Sequence, residues 1–402
     1  MKKYYLQVML LSLCNGIYNA AWKEIGDPLN ITGQNENDSA GLSVAMNSSG
    51  TIVVVGEGGW PGSTTSNVGT GRARAYRLQN GSWLEIGGAL DMTGQNSGDL
   101  AGWYLDINAT GNIIAVGENG WSGDSGRVRV YQLQNGSWLE IGGALNMTGQ
   151  NSGDLAGRSV AINSDGNIVA VGERGWSGAS GRVRVYQLQN GSWLEIGDPL
   201  AITGQNINDY VGQGLCLNSQ GTILAESEYG WPKGNGNGRV RVYQFQNNTW
   251  TEVGDSLAMT GQNSGDNAGI NIAMGQNGNF IVMGEPLWPN GNGNGRARAY
   301  QFQNNTWTEV GDSLAMTGQN AEDNAGWSVA IDAQARLIAV GEVGWPNGDG
   351  NGRVRVYGTP QTREPLVSLL TMQPVNLSQV TLPGDKYENM LPVTYLYSLL
   401  KK

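Results

Sequence analysis

The chain has 402 residues, 63 of them glycine, with only 14% charged and a formal net charge of -10. That balance argues against charge-driven binding to nucleic acid or to an anionic membrane. Histidine is absent, which excludes a Ser-His-Asp triad and removes the commonest general base and metal ligand.

The first segment, residues 1–21, reads as a signal peptide. Lys2 and Lys3 precede an apolar run from Tyr4 to Cys14 that is too short to span a bilayer. Cleavage near Ala20 or Ala21 would leave Trp22 close to the mature start. The two cysteines, Cys14 and Cys216, fall in different settings and imply no disulfide framework.

A repeat then fills residues 22–357. A tryptophan opens each unit at Trp22, Trp83, Trp138, Trp193, Trp250 and Trp307, with successive differences of 61, 55, 55, 57 and 57 residues. A fixed period of this length marks stacked supersecondary units. In the third unit, Gly157 to Asn163 alternates, Ser164-Asp165-Gly166 is a turn, and Asn167 to Glu173 is a continuous apolar run. Such a run suits a strand covered on both faces. A glycine-rich loop carrying Trp176 follows, then the alternating, β-branched Gly181 to Gln187, a hairpin signal at Asn190-Gly191, and Trp193 to Gly197. Each unit is therefore four short antiparallel strands with no helical pattern between them.

Four-stranded sheets repeated about an axis make an all-β, six-bladed β-propeller. The array starts with only a fourth strand, Trp22 to Gly26, and ends with only the first three, finishing at Arg353 to Tyr357. The expectation is that the N-terminal strand pairs with the last blade and closes the ring, leaving few exposed sheet edges. Residues 358–402 form a non-repeat tail, apolar in patches but broken by Pro374, Pro383 and Pro392, and too interrupted for a membrane span.

The strand Trp138-Leu139-Glu140-Ile141-Gly142 and the strand Gly126-Arg127-Val128-Arg129-Val130-Tyr131 carry a resemblance. The blade layout resembles the FG-GAP repeats of integrin α-chain propellers, over residues 22–357. Calcium-binding blades of that class carry several carboxylates between the first two strands, since hard cations need dense oxygen ligands. The equivalent turns here, from Asn47-Ser48-Ser49-Gly50 to Asp332-Ala333-Gln334-Ala335, never hold two. No calcium or other metal, and no cofactor, is expected.

Several repeated residues are candidates for function, each with a structural counterpart. Two arginines per third strand lie on one side of it; they make either an anion-binding array or, the favoured reading, partners for the repeating Glu57, Glu118, Glu173, Glu228, Glu285 and Glu342, or for Glu85 and its equivalents. The loop tryptophans Trp60, Trp121, Trp176, Trp231, Trp288 and Trp345 should emerge on one face, where aromatics bind sugars or peptides. With Tyr229 they form the candidate ligand face, although packing between blades competes with that reading. Asp38, Asp99, Asp154, Asp209, Asp266 and Asp323 are read as turn caps. A binding site on a near-symmetric ring must break the symmetry, which singles out Glu226-Ser227-Glu228-Tyr229, Trp103-Tyr104, Trp327 and the longer loop from Pro61 to Thr70.

These readings point to a non-catalytic, secreted or cell-surface scaffold that binds protein or glycan on one propeller face, without nucleic acid and without a transmembrane span. No catalytic residue is assigned. The alternatives are a carbohydrate-active enzyme using paired carboxylates and a structural surface or particle component. Asn80, Asn135, Asn190, Asn247 and Asn304 form sequons, as a glycoprotein would carry.

Overall fold

The computed structural model describes residues 32–359, apart from 63–68, 89, 144–146, 256, 347 and 349–351. The leader, the closing strand at 22–26 and the tail expected from the sequence lie outside the described residues.

Among those residues the chain forms an all-β ring of six antiparallel blades. Blade 3 is typical: strands Ala156–Ile162, Ile168–Glu173, Arg182–Gln189 and Ser192–Glu195 pair in sequence order. Blade 6 contributes Ala325–Ile331, Leu337–Glu342 and Arg353–Gly358, three strands among the described residues. The first strands of all six blades line a common axial bore. The second strands of blades 1, 2, 3 and 5 are buried throughout, as their apolar runs dictate.

The turns follow from local chemistry. Asn108 Oδ1 accepts the backbone N–H groups of Gly111, Asn112 and Ile113 at 3.1, 3.0 and 2.9 Å, and Asn163 repeats the device with Asn167 and Ile168. A single amide thus satisfies the donors that a tight reversal leaves over. The hairpin residues Asn80 and Gly81 both have positive φ, 50° and 79°, as a two-residue turn requires.

Blades are joined by two repeated devices. One runs through the turns between first and second strands: Ser48 N–H donates to Ala109 O, Ala109 to Ser164, Ser164 to Ser219, Ser219 to Gln276 and Gln276 to Ala333. The other explains the tryptophan motif. The indole N–H of Trp193 donates to Ile141 O in the preceding blade at 3.0 Å, and Trp138, Trp250 and Trp307 do the same to Ile86, Ile196 and Val253. Gly142, directly after Ile141, has φ 77°, and a Cβ there would stand 2.3 Å from Trp193 Cδ1. The Ile-Gly or Val-Gly pair at the end of the fourth strands of blades 1 to 4 is therefore the socket for the next blade's indole.

Candidate functional site

The repeated charges are consumed by the frame. Glu173, fully buried, accepts from Arg182 Nε at 2.7 Å and Arg184 Nε at 2.5 Å, and Arg184 also reaches Thr148 O. Arg184 Nη1 lies 3.6 Å from Glu195 on the fourth strand. The same pattern recurs around Glu57, Glu118, Glu285 and Glu342. Buried guanidinium groups need such partners, because an uncompensated charge in the interior costs several kcal/mol. The aspartates cap turns: Asp154 Oδ2 accepts Gln150 and Asn151 N–H at 3.0 and 2.9 Å, and Asp38, Asp99, Asp209, Asp266 and Asp323 accept from the same turn in their units.

Each loop tryptophan is half-buried, with the first arginine of its own blade over the ring. The guanidinium carbon lies 4.8 Å from the centroid at Trp60 and Trp121, 5.0 Å at Trp176, 4.7 Å at Trp231, 4.6 Å at Trp288 and 4.9 Å at Trp345. One face of each indole is thereby committed to a cation within the blade. Tyr229 stands elsewhere. It stacks on Tyr210, centroids 4.9 Å apart and planes 17° from parallel, and it lines the axial bore.

Among the described residues the bore shows two cavities that share no lining residue, one of about 520 Å³ and one of about 240 Å³. The smaller opens among the turns and is ringed by Met46, Ile107, Ile162, Leu217, Met274 and Ile331. The larger opens on the end where Ala156 pairs with Glu173, the end from which the tryptophan loops emerge. Its wall is built from the residue that follows Ala-Gly or Val-Gly in each first strand: Leu42, Trp103, Arg158, Gln213, Ile270 and Trp327. Tyr104, Ser159, Asn271 and Ser328 stand beside them, and Arg174 and Tyr229 reach in from the ends of second strands. The symmetry-breaking residues Trp103, Tyr104, Tyr229 and Trp327 thus meet in one place.

Sequence reasoning missed Arg158, Arg174, Gln213 and Asn271. Their signal was present: the six aligned copies hold five residue types at this first-strand position and six at the residue after the glutamate of the second strand. Both arginines lack a carboxylate at ion-pair distance among the described residues. Arg158 lies over the Tyr104 ring at 4.7 Å, and its Nη1 is buried without a hydrogen bond. Burial draws its guanidinium down to about 10; Arg174 nearby adds repulsion and Tyr229 opposes the shift. Arg174 Nη1 donates to Gln213 Oε1 at 3.2 Å, and its guanidinium lies 5.2 Å from Tyr210 and 5.9 Å from Tyr229.

Among the described residues, no carboxylate, histidine or cysteine lines the larger cavity. The blade 4 carboxylates are instead buried in the frame. Glu226 accepts from Arg241 Nε at 3.1 Å, Arg241 also pairs with Glu228, and Glu228 accepts from Arg239 Nε at 3.0 Å. Among the described residues, no three or more His, Cys, Asp or Glu side chains gather as a metal site requires, and no helix is long and apolar enough to cross a membrane.

No protein-family model matches the sequence. No curated protein matches it either. Among solved structures, the chain is similar to a putative TolB from Agrobacterium tumefaciens, at 10% identity over 79% of this chain and 90% of that one, with a TM-score of 0.41. It is also similar to a periplasmic gluconolactonase from Pseudomonas aeruginosa, at 15% identity over 79% of this chain and 88% of that one, with a TM-score of 0.44.

Proposed function

We propose that the chain is a non-catalytic binding module of the FG-GAP type, secreted or surface-exposed, and that it takes its ligand in the larger axial cavity. One observation carries this reading. The variable residue after Ala-Gly or Val-Gly lines that cavity in all six copies, joined in blades 3 and 4 by the variable residue after the second-strand glutamate, whereas the repeated charged residues are spent on one another. A volume of about 520 Å³ falls in the range of small-ligand sites, which combine apolar and aromatic walls with a few polar groups.

The absence of a carboxylate pair from the cavity wall favours binding over glycoside hydrolysis, which requires two acids flanking the scissile bond. Glu226 and Glu228 lie two apart on one strand and face buried arginines, so they cannot flank a bond from opposite sides. A glycan array, with a hydrolysis screen on the same compounds, tests the reading. Expected are retained ligands without turnover, and loss of retention in Trp327→Ala, whose indole is 47% exposed and makes little contribution to the core. Turnover of a retained compound, or retention indifferent to Trp327, refutes it.

A further inference from the structure

The twelve arginines at the two repeated positions of the third strands each have a carboxylate partner within their own blade. Arg158 and Arg174 break that rule while sitting at the mouth of a cavity. Two like charges held near each other in a partly desolvated site, with no carboxylate at ion-pair distance among the described residues, are costly in isolation. Arg174 is held in place by a hydrogen bond to Gln213 and by two tyrosine rings, and Arg158 by Tyr104. Both are presented rather than left to range over the surface. A planar guanidinium matches a carboxylate through two parallel N–H···O bonds.

We propose that Arg158 and Arg174 form a carboxylate-binding fork in the larger axial cavity, and that the ligand is a glycan presenting a carboxylated sugar end group, its ring lying against Trp103 and Trp327. This rests on the reading of that cavity as the binding site.

Two features favour a sugar acid over other anions. The walls beside the fork are aromatic, which suits the flat, weakly polar faces of a pyranose ring. The protein itself carries a net charge of -10, so a polyanionic partner such as an acidic peptide is repelled at long range, while one carboxylate on a neutral body is not.

The test uses the full chain and matched oligosaccharides that end in a hexuronic acid, its methyl ester, a neutral hexose, or a phosphorylated or sulfated hexose. A peptide rich in glutamate completes the set. Calorimetry should give the acid an affinity at least tenfold above its ester and its neutral counterpart, weakening as salt is raised. Arg158→Met and Arg174→Met should each bring the affinity for the acid down to that for its ester and neutral counterpart, and Arg77→Met, at a blade 1 position away from the cavity, should leave the preference intact. Should Arg158→Met fail to fold, Arg158→Lys, which keeps the charge and loses the fork, should lower the preference severalfold.

Equal affinity for acid and neutral ends, both lost in Trp327→Ala, overturns the fork and spares the binding-site reading. Tighter binding of the phosphorylated or sulfated ends, or of the peptide, overturns the sugar-acid assignment. Binding of every probe unchanged by Trp327→Ala and by both arginine variants removes the site itself.

Discussion

Replacing Glu226 by valine gives a prediction whose sign can be worked out from the blade 4 charges. In other blades the position is apolar, as at Val171 and Val340, and the equivalents of Arg239 and Arg241 are served there by one buried glutamate instead of two. Burial pushes the Glu226 carboxyl up from 4.5 to about 8; Arg241 counters this and the neighbouring Glu228 adds to it. The folded chain therefore holds a proton that the unfolded chain releases between pH 4.5 and 8, so stability falls across that window as pH rises. Below it both states are protonated and the contribution is flat. A rise of that size corresponds to an upper bound of roughly 5 kcal/mol at high pH. Valine removes the penalty together with the Arg241 hydrogen bond, which is worth about 1–3 kcal/mol. Urea unfolding of the wild type and Glu226→Val at pH 5 and pH 9 cancels every other titration in the difference. The variant should gain about 2–4 kcal/mol relative to wild type between the two pH values. A difference that stays flat across them would mean that Glu226 is ionised throughout, and the argument from burial would fail.

Three other outcomes follow from the frame. Glu173→Gln leaves two buried guanidinium groups with only the half-exposed Glu195 nearby, and should cost about 3–5 kcal/mol by chemical denaturation; a loss below 1 kcal/mol contradicts it. Gly142→Ala places a methyl 2.3 Å from the Trp193 indole at a position of positive φ, and should destabilise by roughly 2 kcal/mol or more, whereas the same change at exposed Gly153, with open space around it, should show only the backbone cost in a parallel melt. In blade 4 a serine and a glycine have exchanged sides: Gly214 N–H donates to Ser227 Oγ at 2.9 Å, where blade 3 pairs Ser159 with Gly172. Ser227→Gly and Gly214→Ser should each lose stability, and the double variant should recover at least about 1 kcal/mol of the summed loss; additive losses would show that the two positions do not share one space.

Much of the ring was legible because its signals are local and repeated. Asn167 to Glu173 reads as a doubly covered strand from its apolar run, and Asn190-Gly191 reads as a hairpin because few other pairs accept positive φ twice. The arginine partners could be named from the sequence, although not that one glutamate would hold both arginines with a second glutamate at longer range. What the sequence hid lies between copies. Nothing in Ile141-Gly142 alone says that the glycine makes room for an indole 51 residues later, and Arg158 looks like any surface arginine until six first strands are set around one axis. The loop tryptophans were conspicuous for the opposite reason, being frequent and aromatic, and their stacking on Arg72 and its equivalents was not readable from spacing.

The separation between repeated and variable positions has a consequence for how such a ring changes over time. Residues that touch an adjacent copy, such as Trp193 and Gly142, cannot vary without a matching change next door. The side chain after Ala-Gly or Val-Gly lines the bore, and where it meets another blade it meets further bore-lining residues, as Arg158 meets Tyr104 and Gln213 meets Arg174. Six inserts can therefore be exchanged one at a time while the housing keeps its shape, and new recognition can arise by small steps that never endanger folding.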